Sequence, residues 1–99
     1  WDLYPVTNGH VLIIPFRHVE NYFELSQHEI ESVSYMIIEG RKLLEKEFKP
    51  DGYNIGINIG KDAGQTISHT HIHLIPRYQG DIRNPSGGVR GVIPAKKSY

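Results

Sequence analysis

Ninety-nine residues, 38% hydrophobic and 22% charged, suit one compact globular domain, and no apolar run is long enough to span a bilayer, which excludes a membrane-spanning helical protein. Eleven basic residues balance eleven acidic ones, so no global field gathers nucleic acid or a membrane surface, and any anion site must be assembled locally. The absence of cysteine excludes disulfides and thiolate zinc sites, and with no signal-peptide pattern at the N-terminus a cytoplasmic location is expected.

In chain order, Gly9 marks a turn, and His10-Val-Leu-Ile-Ile-Pro15 is a β-branched apolar run that predicts a strand entering the core. Ser26 and Glu29 have the capping-box spacing, in which hydroxyl and carboxylate each serve the other's backbone N–H, so a helix starts there. Ile30, Val33, Ile37, Gly40, Leu44 and Phe48 then recur every three or four residues, and Pro50 and Gly52 stop the pattern. The spacing predicts a helix from Gln27 to Phe48 with one largely apolar stripe.

Tyr53 to Ile59 alternates as a half-buried strand does, with Tyr53, Ile55, Ile57 and Ile59 on one face and Asn54, Gly56 and Asn58 on the other. A loop from Gly60 to Gly64 leads to a second alternating segment, Ser68 to Pro76, and the two strands are expected to pair as a hairpin with a long connection. The glycines and prolines from Arg77 onward predict a tail that lies over the surface with little regular structure. Strand, helix, strand, strand implies an α+β fold, an antiparallel sheet with one long helix packed on it, and residues 1–99 form a single domain.

His69, His71 and His73 bring three of the six histidines together at a spacing of two. In a strand that spacing projects all three imidazoles from one face, with Thr70, Ile72 and Leu74 on the other. Each ring needs water, a partner or a ligand, and three explanations compete: a solvent-facing strand, a metal site of converging imidazoles, and nucleophilic catalysis. No carboxylate flanks the triplet to support a metal ligand, which weighs against the second.

Imidazole suits attack on phosphorus because its ordinary pKa of about 6.5 leaves a lone pair free at neutral pH. The phosphoramidate it forms divides one displacement into two, provided a hydrogen bond holds the other ring nitrogen and fixes the tautomer. His10 opens an apolar strand where a solvated histidine is out of place, and it reads as a buried, satisfied partner. His18, in the connection after Pro15, and His28, in the first helical turn, are left outside the site.

His69-Thr-His71-Ile-His73-Leu-Ile75 resembles the signature of the histidine-triad superfamily, His-φ-His-φ-His-φ-φ with φ apolar. The Pro76-Arg77 pair that follows resembles its fragile-histidine-triad, dinucleoside polyphosphate hydrolase branch. Gly9 to Pro15 with Arg17-His18-Val19 is similar to the family's first core strand, Asn58-Ile-Gly60 to its phosphate-contacting turn, and Ala63 to Thr66 to the loop entering the triad. Gly80-Asp81, Gly87-Gly88 and Val92 to Pro94 are similar to the tail of microbial members.

The resemblance implies that His71 is the nucleophile taking up a nucleoside monophosphate, that His69 orients it through its backbone and contacts phosphate, and that His73 and His10 support the pair. Asn58, Gln65 and Thr66 are expected at the phosphates and leaving oxygen, Asp2 at the ribose hydroxyls, and Leu3 and Leu12 in the base pocket.

The resemblance also implies a homodimer, a nucleotide substrate rather than nucleic acid or membrane, and no cofactor at the triad, with magnesium arriving only on a polyphosphate. Dinucleoside polyphosphates are the expected substrates and nucleoside phosphoramidates the next. The rival is a non-catalytic nucleotide- or metal-binding module. Three features depart from the family pattern: Thr70 at an apolar position, Asn8 before Gly9, and the lack of the family's N-terminal elements ahead of Asp2.

Overall fold

The structure, a computed structural model, describes residues 1–98. Its regular elements are β1 (Val11–Ile13), α1 (Gln27–Glu47), β2 (Gly52–Gly56) and β3 (Ile72–Arg77), joined by segments with short 3-10 turns. Among the described residues no helix is long and apolar enough to cross a membrane.

The helix begins where the capping box puts it. Ser26 Oγ accepts from the Glu29 N–H at 3.1 Å, and Glu29 Oε1 accepts from the Ser26 N–H at 2.8 Å. At the other end the Phe48 and Lys49 N–H groups both bond to Leu44 O, and Lys49 takes φ 50°, the left-handed turn that ends a helix before Pro50.

β3 is the central strand, antiparallel to both neighbours in the order β1-β3-β2, with Leu12 opposite His73 and Gly56 opposite the same residue from the other side. Directly opposite residues share a face, so the sheet sorts into two sides. Val11, Ile13, Ile72 and Leu74 lie on the side that α1 covers, with Ile55 on the same side beyond the helix, while Leu12, His73 and Gly56 form the other side. Ile13, Ile72, Val33, Val19 and Leu25 make the core, and Leu44 of α1 is fully buried. Gly40 lets the helix approach the sheet, since a Cβ there would lie 3.0 Å from Leu74 Cδ2.

The strands are shorter than the alternation predicts. β2 stops at Gly56 instead of Ile59, and Ile55, on the predicted inner face, is 48% exposed because α1 lies over β1 and β3. β3 starts at Ile72 instead of Ser68, because the β1 ladder runs out at Ile13, two residues before Pro15, which has no N–H to donate. The Thr70 N–H instead donates to Val19 O at 2.8 Å, so the chain before β3 stays tied to the segment after β1.

Thr70 completes the buried alternation with no exposure, and among the described residues its hydroxyl has no hydrogen-bond partner. An orphaned buried hydroxyl costs desolvation that an isosteric methyl does not. Thr70→Val is expected to raise stability by about 1 kcal/mol, read as a higher urea midpoint at unchanged m; a lower midpoint would mean that the hydroxyl is satisfied.

Arg17 forks onto the Glu29 carboxylate at 2.7 and 3.2 Å, and Arg77 grips Asp81 with two bonds of 2.7 and 2.8 Å. The Arg17 bond, then the Ser26 N–H, holds the Glu29 carboxyl down to about 2, and the Arg77 bond, then the Tyr78 N–H, does the same for Asp81. Both folded-state values lie below the unfolded ones, so this contribution is complete above the ordinary carboxylate range and is lost as pH falls toward about 2. Thermal midpoints are expected to fall over that window in the parent, and less in Glu29→Gln.

Candidate active site

His73 lies in β3, His69 and His71 on the chain entering it and His10 just before β1, and the tautomer of each follows from its neighbours. The Val6 N–H donates to His10 Nδ1 at 3.1 Å, so that nitrogen is an acceptor and neutral His10 carries its proton on Nε2. His10 Nε2 lies 2.9 Å from His73 Nδ1, which must then accept, and His73 in turn carries its proton on Nε2. Burial of His10, only 2% exposed, lowers its pKa against the opposing pull of Asp2. Burial, then His10 and His71, lowers that of His73, and both stay neutral at pH 7.

His71 is fixed the other way round. Its Nδ1 lies 2.9 Å from the backbone oxygen of His69, an acceptor only, so Nδ1 carries the proton and Nε2 keeps its lone pair. The backbone of the residue two before it thereby fixes which nitrogen of the middle ring stays free. His69 Nε2 sits 3.1 Å from Pro15 O, so that ring too is anchored to a carbonyl, leaving Nδ1 as its unbonded nitrogen. His71 and His73 meet edge to face with centroids 5.2 Å apart, and His73 and His10 lie 5.1 Å apart.

Asp2, His10 and His73 each offer a ligand atom within 4.8 Å of the others, the spacing a metal could use. The hydrogen bonds favour a different use. An Nε2 that bears a proton has no lone pair for a metal, and here the Val6 N–H forces the His10 proton onto Nε2. Asp2 Oδ2, 3.4 Å from that nitrogen, lies at the buried end of the row, while its Oδ1 takes the Tyr4 N–H.

The remaining expected residues divide. Leu12 lies opposite His73 on the site face and is half-buried. Asn58 is exposed, two residues past the end of the β2–β3 ladder, just as His71 lies two residues before its start on β3. Thr66 is exposed on the loop before the triad.

Two expectations need revision on geometry. Gln65 accepts from the Gly60 N–H and donates to Glu20 O and Ile67 O, so its amide is fully engaged in holding its loop closed. Leu3 is 89% exposed, because the chain turns at Asp2 through the Tyr4 N–H and carries the leucine outward. Arg77 is no free cation for phosphate either, being held by Asp81 and by Asn54 Oδ1 at 2.7 Å.

The structure adds His18, left outside the site by the sequence reading. Its ring meets His69 edge to face with centroids 4.7 Å apart. Only the antiparallel return could reveal it: the chain leaving β1 runs beside the chain entering β3, so a histidine soon after Pro15 falls beside His69.

The family model described as HIT domain matches residues 1–80. The chain is 40% identical over 81 residues to a bis(5'-nucleosyl)-tetraphosphatase (asymmetrical) of Schizosaccharomyces pombe, a match covering 82% of this chain and 44% of that protein. It is 31% identical over 81 residues to an AP-4-A phosphorylase of Mycobacterium tuberculosis, covering 81% and 42%. Among solved structures, the C. elegans NitFhit protein matches with a TM-score of 0.79 and 34% identity, over 97% of this chain and 24% of that one. The chain spans about half the length of the curated relatives it matches. Because the matched stretch takes in the strand of His10, the long helix and the whole histidine row, this chain belongs to the HIT family.

Proposed function

We propose that this chain carries the catalytic centre of a nucleotidyl hydrolase or transferase that cleaves dinucleoside polyphosphates at the α-phosphorus through a nucleotidyl-histidine. The observation that carries the reading is the bond from His71 Nδ1 to His69 O, which in the neutral ring leaves the lone pair on Nε2 as the nucleophile. The names of the tetraphosphatase and phosphorylase relatives support the substrate class.

His71 Nε2 attacks phosphorus, the P–N bond forms as the bond to the bridging oxygen breaks, and the remaining phosphate chain departs with the electron pair. His73 Nε2–H, held by the neutral His10 behind it, donates to a phosphoryl oxygen as negative charge builds. Water or inorganic phosphate then attacks the same phosphorus, and Nε2 leaves with its lone pair restored.

Asn58 and Thr66 are proposed to donate to phosphate oxygens, Asp2 to accept from ribose hydroxyls and Leu12 to contact the base, while Gln65 shapes the loop. No metal is required at the histidines, and magnesium enters only on the polyphosphate. A homodimer and a cytoplasmic location belong to the same proposal, the former tested by sedimentation across a concentration series.

Incubation with diadenosine tetraphosphate, acid-free quenching and intact-mass analysis tests the reading. An adenylate adduct on the parent, absent in His71→Ala, is the expected result. Tight stoichiometric zinc with no adduct would replace it with the metal-binding alternative. Turnover with and without added inorganic phosphate separates hydrolysis from phosphorolysis.

A further inference from the structure

His10 and His73 share one hydrogen bond, between His10 Nε2 and His73 Nδ1 at 2.9 Å, and in two neutral rings its proton can sit at either end. With that proton on His10, His73 carries its own on Nε2 and presents a donor to the site. With it on His73 Nδ1, His73 Nε2 becomes a lone pair and the donor is lost. Two groups select the first arrangement. The Val6 N–H meets His10 Nδ1 at 3.1 Å and would oppose a second N–H there, and Asp2 Oδ2, 3.4 Å from His10 Nε2, favours a hydrogen on that nitrogen over a lone pair.

The Val6 N–H is placed by hydrogen bonds and not by packing, since residues 3–6 are all exposed. The next residue supplies the anchor. The Thr7 hydroxyl donates to Pro76 O at 2.5 Å, and Thr7 O accepts from the His10 N–H at 3.2 Å. Successive strand residues turn their backbone groups to alternate neighbours, and Arg77 O takes the Asp51 N–H on the β2 side, so Pro76 O faces the β1 side, beyond the last ladder pair at Val11. Thr7 thus continues the pairing of β1 with β3 through a side chain where the backbone has turned away. Tyr78 OH, donating to Asn8 O at 2.6 Å, ties the same turn to the chain after β3.

We infer that Thr7 is a positioning residue for the transfer: by anchoring its turn to β3 it holds the Val6 N–H on His10 Nδ1, and so keeps His73 in the tautomer that donates to phosphate. The hydroxyl acts through His10, which is buried, and a line of hydrogen bonds joins it to the proton facing the substrate. A hydroxyl that served stability alone would leave both tautomers unchanged when removed.

This role rests on the nucleotidyl-transfer reading, with His73 as donor, and two readouts separate them. Thr7→Val removes the hydroxyl and keeps the shape, whereas Thr7→Ser keeps the hydroxyl. With the rings neutral, ¹⁵N-detected NMR of Thr7→Val is expected to show a substantial share of His73 with its proton moved from Nε2 to Nδ1, and Thr7→Ser the parent pattern. For diadenosine tetraphosphate, kcat of Thr7→Val is expected to fall about tenfold with KM within about twofold of the parent, and both constants of Thr7→Ser to stay within about twofold. Thr7→Ala carries the same two readouts where the valine variant does not fold. A fall in kcat with His73 still protonated on Nε2 would make Thr7 a structural support only, and rings and rates both unchanged would leave it without a role; either result overturns the inference alone. A parent that forms no adenylate adduct overturns the transfer reading, and the role of Thr7 with it.

Discussion

His71→Ala is expected to abolish nucleotidyl transfer, with kcat/KM for diadenosine tetraphosphate falling by at least about 10⁴-fold, the scale seen when a nucleophile is removed. The two rings behind it cannot replace it, and His69 is anchored by its Nε2. His73 Nδ1 is occupied by His10 and its Nε2 carries a proton, His10 is buried, and His69 Nε2 is held by Pro15 O. His71→Ala keeps the fold because this half-buried ring packs on the open face and not in the core. His73→Ala is expected to cost less, about 10²-fold, since it removes a donor from the transition state and leaves the nucleophile in place. Stopped assays with the purified variants, beside circular dichroism to confirm folding, check both. A His71→Ala protein within tenfold of the parent would move the chemistry elsewhere.

Gly9→Ala is expected to destabilise the protein by about 3 kcal/mol through two separable causes. Gly9 holds φ +90°, a conformation that residues with a Cβ adopt only under strain. The added Cβ would also stand 2.9 Å from Leu44 Cδ2 and 3.1 Å from Phe48, where the chain crosses the helix end just before His10. Leu44 is fully buried and has little room to give way. For a domain of this size the thermal midpoint is expected to drop by about 10–20 °C. A double-mutant cycle with Leu44→Ala separates the causes, because the smaller side chain relieves the contact and leaves the backbone strain. The double variant is expected to lose measurably less than the sum of the single losses; strict additivity would show that the contact contributes nothing.

The helix was legible to a residue because Ser26 and Glu29 announce its start chemically and Pro50 forbids its continuation. The alternation of Thr70, Ile72 and Leu74 foretold a buried face, and with it the opposite projection of the triad. Strand ends were not legible, since pairing stops where a partner runs out, and the partner of the pre-β3 segment is Val19 and not a continuation of β1.

His10 was readable because a histidine in an apolar strand must be satisfied, and His73 satisfies it. His18 was not, because its place depends on which distant segments run side by side and no local spacing marks that. Gln65 and Leu3 fared differently for a related reason. An amide in a loop serves whichever backbone groups the loop exposes, and a leucine near a turn goes where the turn points it.

The account turns on which nitrogen of His71 is free, and ¹⁵N-detected NMR of the histidine rings measures that directly. With the rings in their neutral forms and no substrate bound, His71 is expected to show a protonated Nδ1 and a lone-pair shift at Nε2, with His10 and His73 showing the opposite pattern. A His71 ring protonated on Nε2, or one sharing the tautomer of His73, would contradict it.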